Sequence, residues 1–238
     1  VKEGLSYLKY GVEHSAVDQA NETFLASDGN WRTLDIFTNE GSFVVHPPLG
    51  KWTIALGEYA FGATPLGGRV AVALLGTLMV LMTARIVRRM TRSDLIGTIA
   101  GLLLALDGMH IVLSRTGLLD MTLAFWVLAG FGLLVLDRDR TRQRLADLVT
   151  HVGIRAVSEG VVPRLGVRPW RIAAVIALAL AVSVKWSGLW FLAFFMVMTV
   201  LWDVGAYRAV GVRHPFTAAL TRSAPVALIS VIVLLPVI

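Results

Sequence analysis

The chain has 238 residues, of which 56% are hydrophobic and 16% are charged, and its mean hydropathy is +0.70. A water-soluble domain of this size does not carry so apolar a composition, so the sequence predicts an integral membrane protein. The net charge of +6 is explained by cations at the ends of apolar runs, and no polar basic domain is left to bind nucleic acid.

Residues 1–68 are mixed in polarity and predict an ordered loop beside the membrane. Two sets of apolar residues at helical spacing predict short interfacial helices within this loop: Leu5, Leu8 and Val12, and then Leu49, Trp52, Leu56 and Tyr59. The second set follows Pro47 and Pro48, which start a helix because two prolines do not fit inside one.

Apolar runs at 70–84, 95–113 and 118–136 predict three membrane spans. Arginines cluster after the first run and again after the third, so both of those ends are expected on the cytoplasmic side. Beyond the third run, an apolar face predicts a basic amphipathic helix on the inner leaflet, formed by Leu145, Leu148, Val149 and Val152.

The run from Ile172 to Trp202 is too long for one span and too short for two full ones. The charge pattern favours two short helices that meet at the outer side near Lys185, and one long tilted helix is the alternative. A last apolar run, Ala224 to Ile238, predicts a further span. The expectation is one integral membrane domain over 1–238, with about six transmembrane helices in 69–238, that is an internal fragment truncated at both ends.

In this topology, several ionisable residues lie on the same, outer side of the membrane. They are His46, Arg69, Asp107, His110, Arg115, Asp120 and Lys185. Ionisable groups in a bilayer are costly unless they are paired or wetted, so this one-sided clustering indicates a site. Each residue also has a structural interpretation: Arg115 pairs with Asp120, Arg69 and Lys185 extend to headgroups, and His110 makes a local polar contact.

Cations at a membrane surface, without a glycine-rich nucleotide loop, suit a phosphate carried on a lipid better than a soluble nucleotide. Lysine and arginine stabilise a leaving phosphate, and a carboxylate or histidine removes a proton from an acceptor. A divalent cation held by His46, Asp107 and His110 is an alternative, although their spacing is not that of a tight ligand set. The chain contains no cysteine, which excludes thiolate ligands and disulfides.

Four motifs carry a resemblance to a known family. They are the run from Val1 to Glu13, the His46-Pro47-Pro48-Leu49-Gly50-Lys51 turn, Leu113-Ser114-Arg115 with Leu118-Leu119-Asp120, and Lys185-Trp186-Ser187-Gly188-Leu189. In their combination and order, the chain resembles the actinobacterial protein O-mannosyltransferases of the GT-C class.

The resemblance implies an all-α, polytopic transmembrane bundle of GT-C type, with interfacial amphipathic helices in the first outer loop. It implies a multi-pass cell-membrane enzyme whose extracytoplasmic site transfers mannose, with inversion, from polyprenyl phosphate mannose to Ser or Thr hydroxyls of exported proteins. Membrane lipid is a further partner, and no cofactor is certain. In that family the acidic pair considered catalytic lies just upstream of the segment resembling Val1 to Glu13, so the general base is expected outside this chain.

Site roles follow from the resemblance together with the charge pattern. Arg69, Arg115 and Lys185 are candidates for the lipid phosphate. His46 and Lys51 are expected to shape the pocket, and Trp186 is expected to line it. Asp107, His110 and Asp120 complete the candidate catalytic set by orienting the cations or the acceptor.

Two rival functions stay open at this stage. One is a GT-C transferase that modifies a lipid or a cell-wall glycan. An assay of membranes with a labelled polyprenyl phosphate sugar distinguishes it, by whether the label enters protein or lipid. The other is a transporter, which predicts polar residues along the full depth of the spans. Here the polar residues crowd one side, which favours the enzyme.

Overall fold

The structure is a computed structural model that describes residues 1–159 and 165–221. The expected span from Ala224 to Ile238 lies outside the described residues. The described part contains these helices and strands, in this order: α1 Lys2–Tyr10, β1 His14–Ala16, α2 Ala20–Ala26, β2 Phe37–Gly41, α3 Leu49–Phe61, α4 Gly67–Thr91, α5 Asp94–Leu106, α6 Gly108–Arg115, α7 Leu119–Val152, α8 Ile154–Ser158, α9 Pro169–Val182 and α10 Gly188–Ala209. Residues 215–221 are helical as well.

The predicted polytopic helical fold is confirmed. Among the described residues, three helices are long and apolar enough to cross a membrane: α4, α7 and α10. Helices α5 and α6 pass the same test together as a bent pair. The shorter apolar helix α9 has 14 residues, which at 1.5 Å each reach about 21 Å of a hydrocarbon core about 30 Å thick.

The chain forms two compact units. The first contains Val1–Phe125 and Ser183–Trp186, and the second contains Trp126–Val182 and the chain from Ser187 onward. Each is described by itself below.

The first unit has a small apolar core where α1 and α2 pack on the chain that leads into β2. Its buried members are Leu5, Ala20, Leu34, Ile36, Phe37 and Ala63. The strands pair antiparallel, with His14 opposite Gly41 and Ala16 opposite Phe37. The sequence did not predict this sheet, because strands of three and five residues are too short to show a clear alternation.

Helix α1 forms where expected, but it is shorter than the apolar spacing indicated. It ends at Tyr10 because Gly11 adopts a left-handed conformation, with φ of 73°, and its N–H bonds to the Tyr7 carbonyl. Val12 therefore lies beyond the helix and is 55% exposed, so its assignment to the helical face was wrong.

Helix α3 is amphipathic, but it buries charged residues and exposes its large apolar and aromatic ones. Lys51 and Glu58 lie on its buried face, while Trp52, Leu56 and Tyr59 are 52%, 68% and 60% exposed. Only five residues separate its end at Phe61 from the apolar helix α4. An exposed aromatic face so close to a membrane-spanning helix is typical of an interfacial helix.

The predicted span at 95–113 is broken into two helices. Helices α5 and α6 meet at a 60° bend, and the residue between them is Asp107. Its backbone is extended, with ψ of 123°, which interrupts the helical hydrogen-bond ladder.

In the second unit, helix α7 continues without interruption from the predicted third span to Val152. The expected inner-leaflet helix is the end of α7, and its assignment to the lipid surface was wrong for Leu145. That residue is 1% exposed and packs in a protein core with Tyr207, and Val149 packs against the same core.

The run from Ile172 to Trp202 is divided between α9 and α10, so the single long helix is excluded. The break falls at 183–187, as the two-helix interpretation required, although α10 is a 22-residue helix and not a short one. Around this break, α9 and α10 pack with α7 in an apolar cluster that includes Leu134, Leu178 and Phe195.

Candidate functional site

The His46–Lys51 turn starts α3 and anchors it to the segment that follows α9. The Leu49 N–H donates to the Ser183 carbonyl at 3.1 Å. Next to it, Gly50 leaves no room for a side chain, because a Cβ would lie 2.7 Å from Leu119 Cδ2 and 2.9 Å from Val184 Cγ1. The turn therefore touches two segments far from it in sequence: the Leu118-Leu119-Asp120 motif and the residues that directly precede the Lys185–Leu189 motif.

The same two segments are joined by an ion pair. Lys185 Nζ donates to Asp120 Oδ1 at 3.0 Å, across a separation of 65 residues in the chain. The two side chains are 30% and 47% exposed, so the pair remains open to a ligand. The sequence offered an Arg115–Asp120 pair as a structural interpretation of these two residues. In the structure Asp120 pairs with Lys185 instead.

Lys51 is 2% exposed and serves as an internal partner. Its ammonium contacts the Glu13 carboxylate, donates to the His46 carbonyl at 3.1 Å, and lies 3.8 Å from Glu3 Oε2. These contacts attach the Val1–Glu13 segment to the start of α3. Burial and the Glu13 carboxylate together raise the pKa of the nearby Tyr7 hydroxyl to about 12.

His46 is bonded through its backbone, while one of its ring nitrogens has no hydrogen bond within the described chain. Its carbonyl accepts from Lys51, while the buried ring atom Nδ1 has no hydrogen-bond partner within the described chain. A buried ring nitrogen without a partner is unfavourable in a protein interior and is free to bond a ligand hydroxyl.

Asp107 and His110 have local structural roles. Asp107 caps the N-terminus of α6, where Oδ1 accepts from the His110 N–H at 2.7 Å. The His110 ring is buried, and Nε2 lies 3.2 Å from the Gly76 carbonyl of α4. In the structure Asp107 thus stabilises the bend, and His110 takes part in the α4–α6 contact.

Arg69 lies in the first turn of α4 and lines a cleft of about 650 Å³. The cleft walls also include Lys2 and Glu3 of α1, and Leu118 and Leu119 beside Asp120. Arg115 ends α6 and is exposed, and Trp186 next to Lys185 is 47% exposed. Of the three candidate cations, Arg69 is the one that lines this cleft.

No group of three or more His, Asp or Glu side chains in residues 1–159 and 165–221 is arranged to hold a metal ion. The possible metal triad of His46, Asp107 and His110 is thus not assembled in the structure.

Sequence reasoning missed two residues in the interior of the first unit. Ser183 contributes a backbone carbonyl, which no side-chain pattern predicts. Glu58 is fully buried on the α3 face that also carries Lys51, and neither carboxylate oxygen has a partner among the described residues. Its position seven residues after Lys51 was the available signal, because that spacing puts both residues on one helix face.

The fold and the site together define a polytopic α-helical membrane protein with a charged, partly exposed site where helix ends and connecting segments meet. The sequence model for dolichyl-phosphate-mannose-protein mannosyltransferases matches residues 7–154. The chain belongs to this family, since the match covers more than half of it.

Three curated relatives carry the name polyprenol-phosphate-mannose–protein mannosyltransferase. The relative from Mycolicibacterium smegmatis is 46% identical over 179 residues, which are 75% of this chain and 34% of the relative. The relative from Mycobacterium tuberculosis is 43% identical over 199 residues, 81% of this chain and 37% of the relative. The relative from Corynebacterium glutamicum is 41% identical over 203 residues, 85% of this chain and 39% of the relative.

The chain therefore spans little more than a third of the length of these relatives. No solved structure matches it.

Proposed function

We propose that the complete protein transfers mannose from a polyprenyl phosphate mannose to Ser or Thr hydroxyls of exported proteins. The observation that carries this proposal is the meeting of four separate motif segments in the first unit. They join through the Lys51–Glu13 pair, the Leu49–Ser183 hydrogen bond and the Lys185–Asp120 pair. The names of the relatives supply the donor and the protein acceptor.

The cations of the site suit a lipid phosphate. Arg69 at the cleft and Lys185 beside Asp120 are positioned to neutralise charge that develops on the phosphate as the sugar leaves. Arg115 is an additional phosphate ligand in this proposal, and exposed Trp186 lines the lipid or the sugar. Asp120 orients Lys185, because an accepting carboxylate fixes where an ammonium points.

His46 forms a wall of the pocket in this proposal, with its unpartnered ring nitrogen available to a sugar or acceptor hydroxyl. The transfer occurs at the extracytoplasmic face of the cell membrane in this proposal, which is supported by the charge pattern of the sequence: it predicts the candidate cations on the side opposite the arginine clusters.

The test uses membranes from cells that express the complete protein, supplied with radiolabelled polyprenyl phosphate mannose and an acceptor peptide. Wild type is expected to label the peptide. Arg69→Ala and Lys185→Ala are expected to lower labelling by about 100-fold, the scale of losing a positioned charge in the transition state, at unchanged protein level. Assays with and without EDTA address the divalent cation separately.

The matched control is Arg142→Ala, which removes an exposed arginine of α7. Label that enters lipid or glycan and not peptide would replace the proposal with the lipid or cell-wall transferase. Near-normal labelling in Arg69→Ala and Lys185→Ala would remove the phosphate role from these two residues.

A further inference from the structure

Four charged side chains in the second unit form a mutually hydrogen-bonded cluster, called here the ion tetrad: Asp137, Arg168, Arg171 and Asp203. Arg168 donates Nε to Asp137 Oδ1 at 3.0 Å and Nη1 to Asp203 Oδ2 at 2.8 Å. Its Nη2 atom bonds to both carboxylates, at 2.5 Å and 3.1 Å. Arg171 donates Nε to Asp137 Oδ2 at 3.0 Å, and Nη1 and Nη2 to the two oxygens of Asp203 at 2.7 and 2.9 Å.

The ion tetrad is buried and electrically neutral. The exposures are 4% for Asp137, 9% for Arg168, 2% for Arg171 and 2% for Asp203. Two arginines and two aspartates sum to zero charge, and each guanidinium bonds to both carboxylates. Because the charges of the two guanidinium groups are balanced by the two carboxylates bonded to them, the cluster has no net positive charge to attract an anion such as phosphate.

The ion tetrad joins three separate stretches of chain. Asp137 lies in α7, Arg168 immediately precedes α9, Arg171 lies in the first turn of α9, and Asp203 lies in α10. Both carboxylates bond to both arginines, so α7 and α10 are linked to each other through the beginning of α9.

On each of these stretches, the ion tetrad lies between two apolar clusters. Along α7 it falls between Leu134 of one cluster and Leu145 of the other. Around the start of α9 it falls between Leu165 and Ala174, and along α10 between Phe195 and Ala206. A single polar layer therefore interrupts the apolar packing at the same level on all three stretches.

Such a layer restricts how the helices align along their axes. If α7 or α10 moved by one helical turn, an arginine or an aspartate would face an apolar layer without its partners, which is strongly unfavourable. Apolar side chains alone discriminate less, because they pack acceptably in several alignments. Setting the register of packed helices is the best-attested use of buried polar groups.

We propose that the ion tetrad is a register pin, which fixes the axial alignment of α7, α9 and α10 through its closed pattern of hydrogen bonds. This inference does not depend on the proposed function.

The first experiment tests whether the four charges act as a unit in the complete protein. Asp203→Asn and Arg171→Gln each leave an uncompensated buried charge, and each is expected to lower the yield of monodisperse protein in mild detergent by about tenfold. The paired variant Asp203→Asn/Arg171→Gln is neutral again and is expected to recover most of that yield. Arg142→Gln, on the exposed side of α7, is the control and is expected to leave the yield unchanged.

The second experiment measures the register directly by disulfide formation. A Cβ at Gly130 would lie 2.7 Å from Leu178 Cγ, so cysteines at 130 and 178 are expected to cross-link in the native alignment. Cysteines at 130 and 182, one turn further along α9, are expected to cross-link only after a slip. This chain contains no other cysteine, so the bands are assigned without ambiguity within it.

The register test compares the native ion tetrad with the fully neutral variant Asp137→Asn/Arg168→Gln/Arg171→Gln/Asp203→Asn. The native protein is expected to form only the 130–178 bond, and the neutral variant both bonds. The proposal is overturned if the neutral variant forms only the 130–178 bond, because apolar packing then sets the register. It is also overturned if the neutral variant fails to accumulate, if single variants accumulate normally, or if the paired variant does no better than the singles.

Discussion

The ammonium of Lys51 is enclosed by carboxylates and a carbonyl in the first unit, and its side chain is 3% exposed. We predict that Lys51→Met lowers the free energy of unfolding by about 3–5 kcal/mol, because it leaves Glu13 charged and buried without its partner. Lys51→Met/Glu13→Gln is expected to lose clearly less. Thermal unfolding of the complete protein in detergent measures both, with Glu22→Gln as an exposed control.

A different result would restore the substrate role that the sequence suggested for Lys51. If Lys51→Met unfolds at the wild-type temperature but the complete protein loses the proposed mannose transfer, the ammonium acts on the donor and not on the packing of α1 against α3.

Glu58 lies where α1 packs closely on α3, and a Cβ on Gly4 would lie 2.7 Å from its Oε2. Burial raises the pKa of this carboxyl from 4.5 to about 8. The folded protein therefore holds a proton on Glu58 over a range of pH in which the unfolded chain has released it.

We predict that this proton makes stability depend on pH. Its contribution is fully present below pH 4.5 and is lost as pH rises through about 8, since each unit of pKa shift corresponds to about 1.4 kcal/mol. Glu58→Gln is permanently neutral, so its unfolding temperature is expected to fall less than that of wild type between pH 5 and 9. Parallel pH curves for the two proteins would show that Glu58 is ionised in the folded state.

At the scale of elements, the bend between α5 and α6 depends on a helix cap. Asp107 accepts the His110 N–H at 2.7 Å, and serine supplies the same kind of oxygen at an N-cap. We predict that Asp107→Ala lowers the free energy of unfolding by about 1 kcal/mol, whereas Asp107→Ser leaves folding, and the mannose transfer proposed for the complete protein, close to wild type. Transfer lost in the well-folded serine variant would instead make the carboxylate part of the catalytic machinery.

Helix α3 shows how an element can follow its sequence pattern and still have an unexpected interior. Its apolar spacing predicted the helix, and Trp52, Leu56 and Tyr59 do share one face. That face is exposed, and the opposite face carries Lys51 and Glu58 inward. Hydrophobic periodicity identifies the two faces of a helix, but the surrounding solvent decides which one is buried. In water the apolar face packs inward, whereas beside a membrane the apolar face can contact lipid.

At the scale of the whole molecule, the charge pattern predicts one orientation in the membrane. Single cysteines placed at exposed Glu40 and at exposed Gln143 test it in the complete protein, after replacement of any other cysteines. A membrane-impermeant maleimide added to intact cells is expected to label position 40 at once and position 143 only after permeabilisation. Labelling of position 143 in intact cells would show that the orientation is the reverse of the predicted one, and the proposed extracytoplasmic site would be contradicted.

Most of the fold was predictable because membrane spans are long apolar runs. Hydropathy and the placement of arginines were enough to predict the helices α4, α7 and α10. The same two properties predicted that the apolar run from Ile172 to Trp202 divides into two helices near Lys185. The two-stranded sheet and the break at Asp107 did not follow from the same pattern. A short strand has too few residues to show its period, and an aspartate within an apolar run reads equally as a helix cap or as a site.

The candidate site was predictable as a set of residues but not as a set of contacts. The sequence by itself determined that the chain is a polytopic membrane protein and which charged residues accompany its spans, because hydropathy and charge are properties of single residues and short runs. The tertiary structure decided that Asp120 pairs with Lys185, that Lys51 is enclosed with Glu13, and that Asp137, Arg168, Arg171 and Asp203 neutralise one another. These pairings join residues 31 to 65 positions apart, and only folding brings such residues within hydrogen-bond distance.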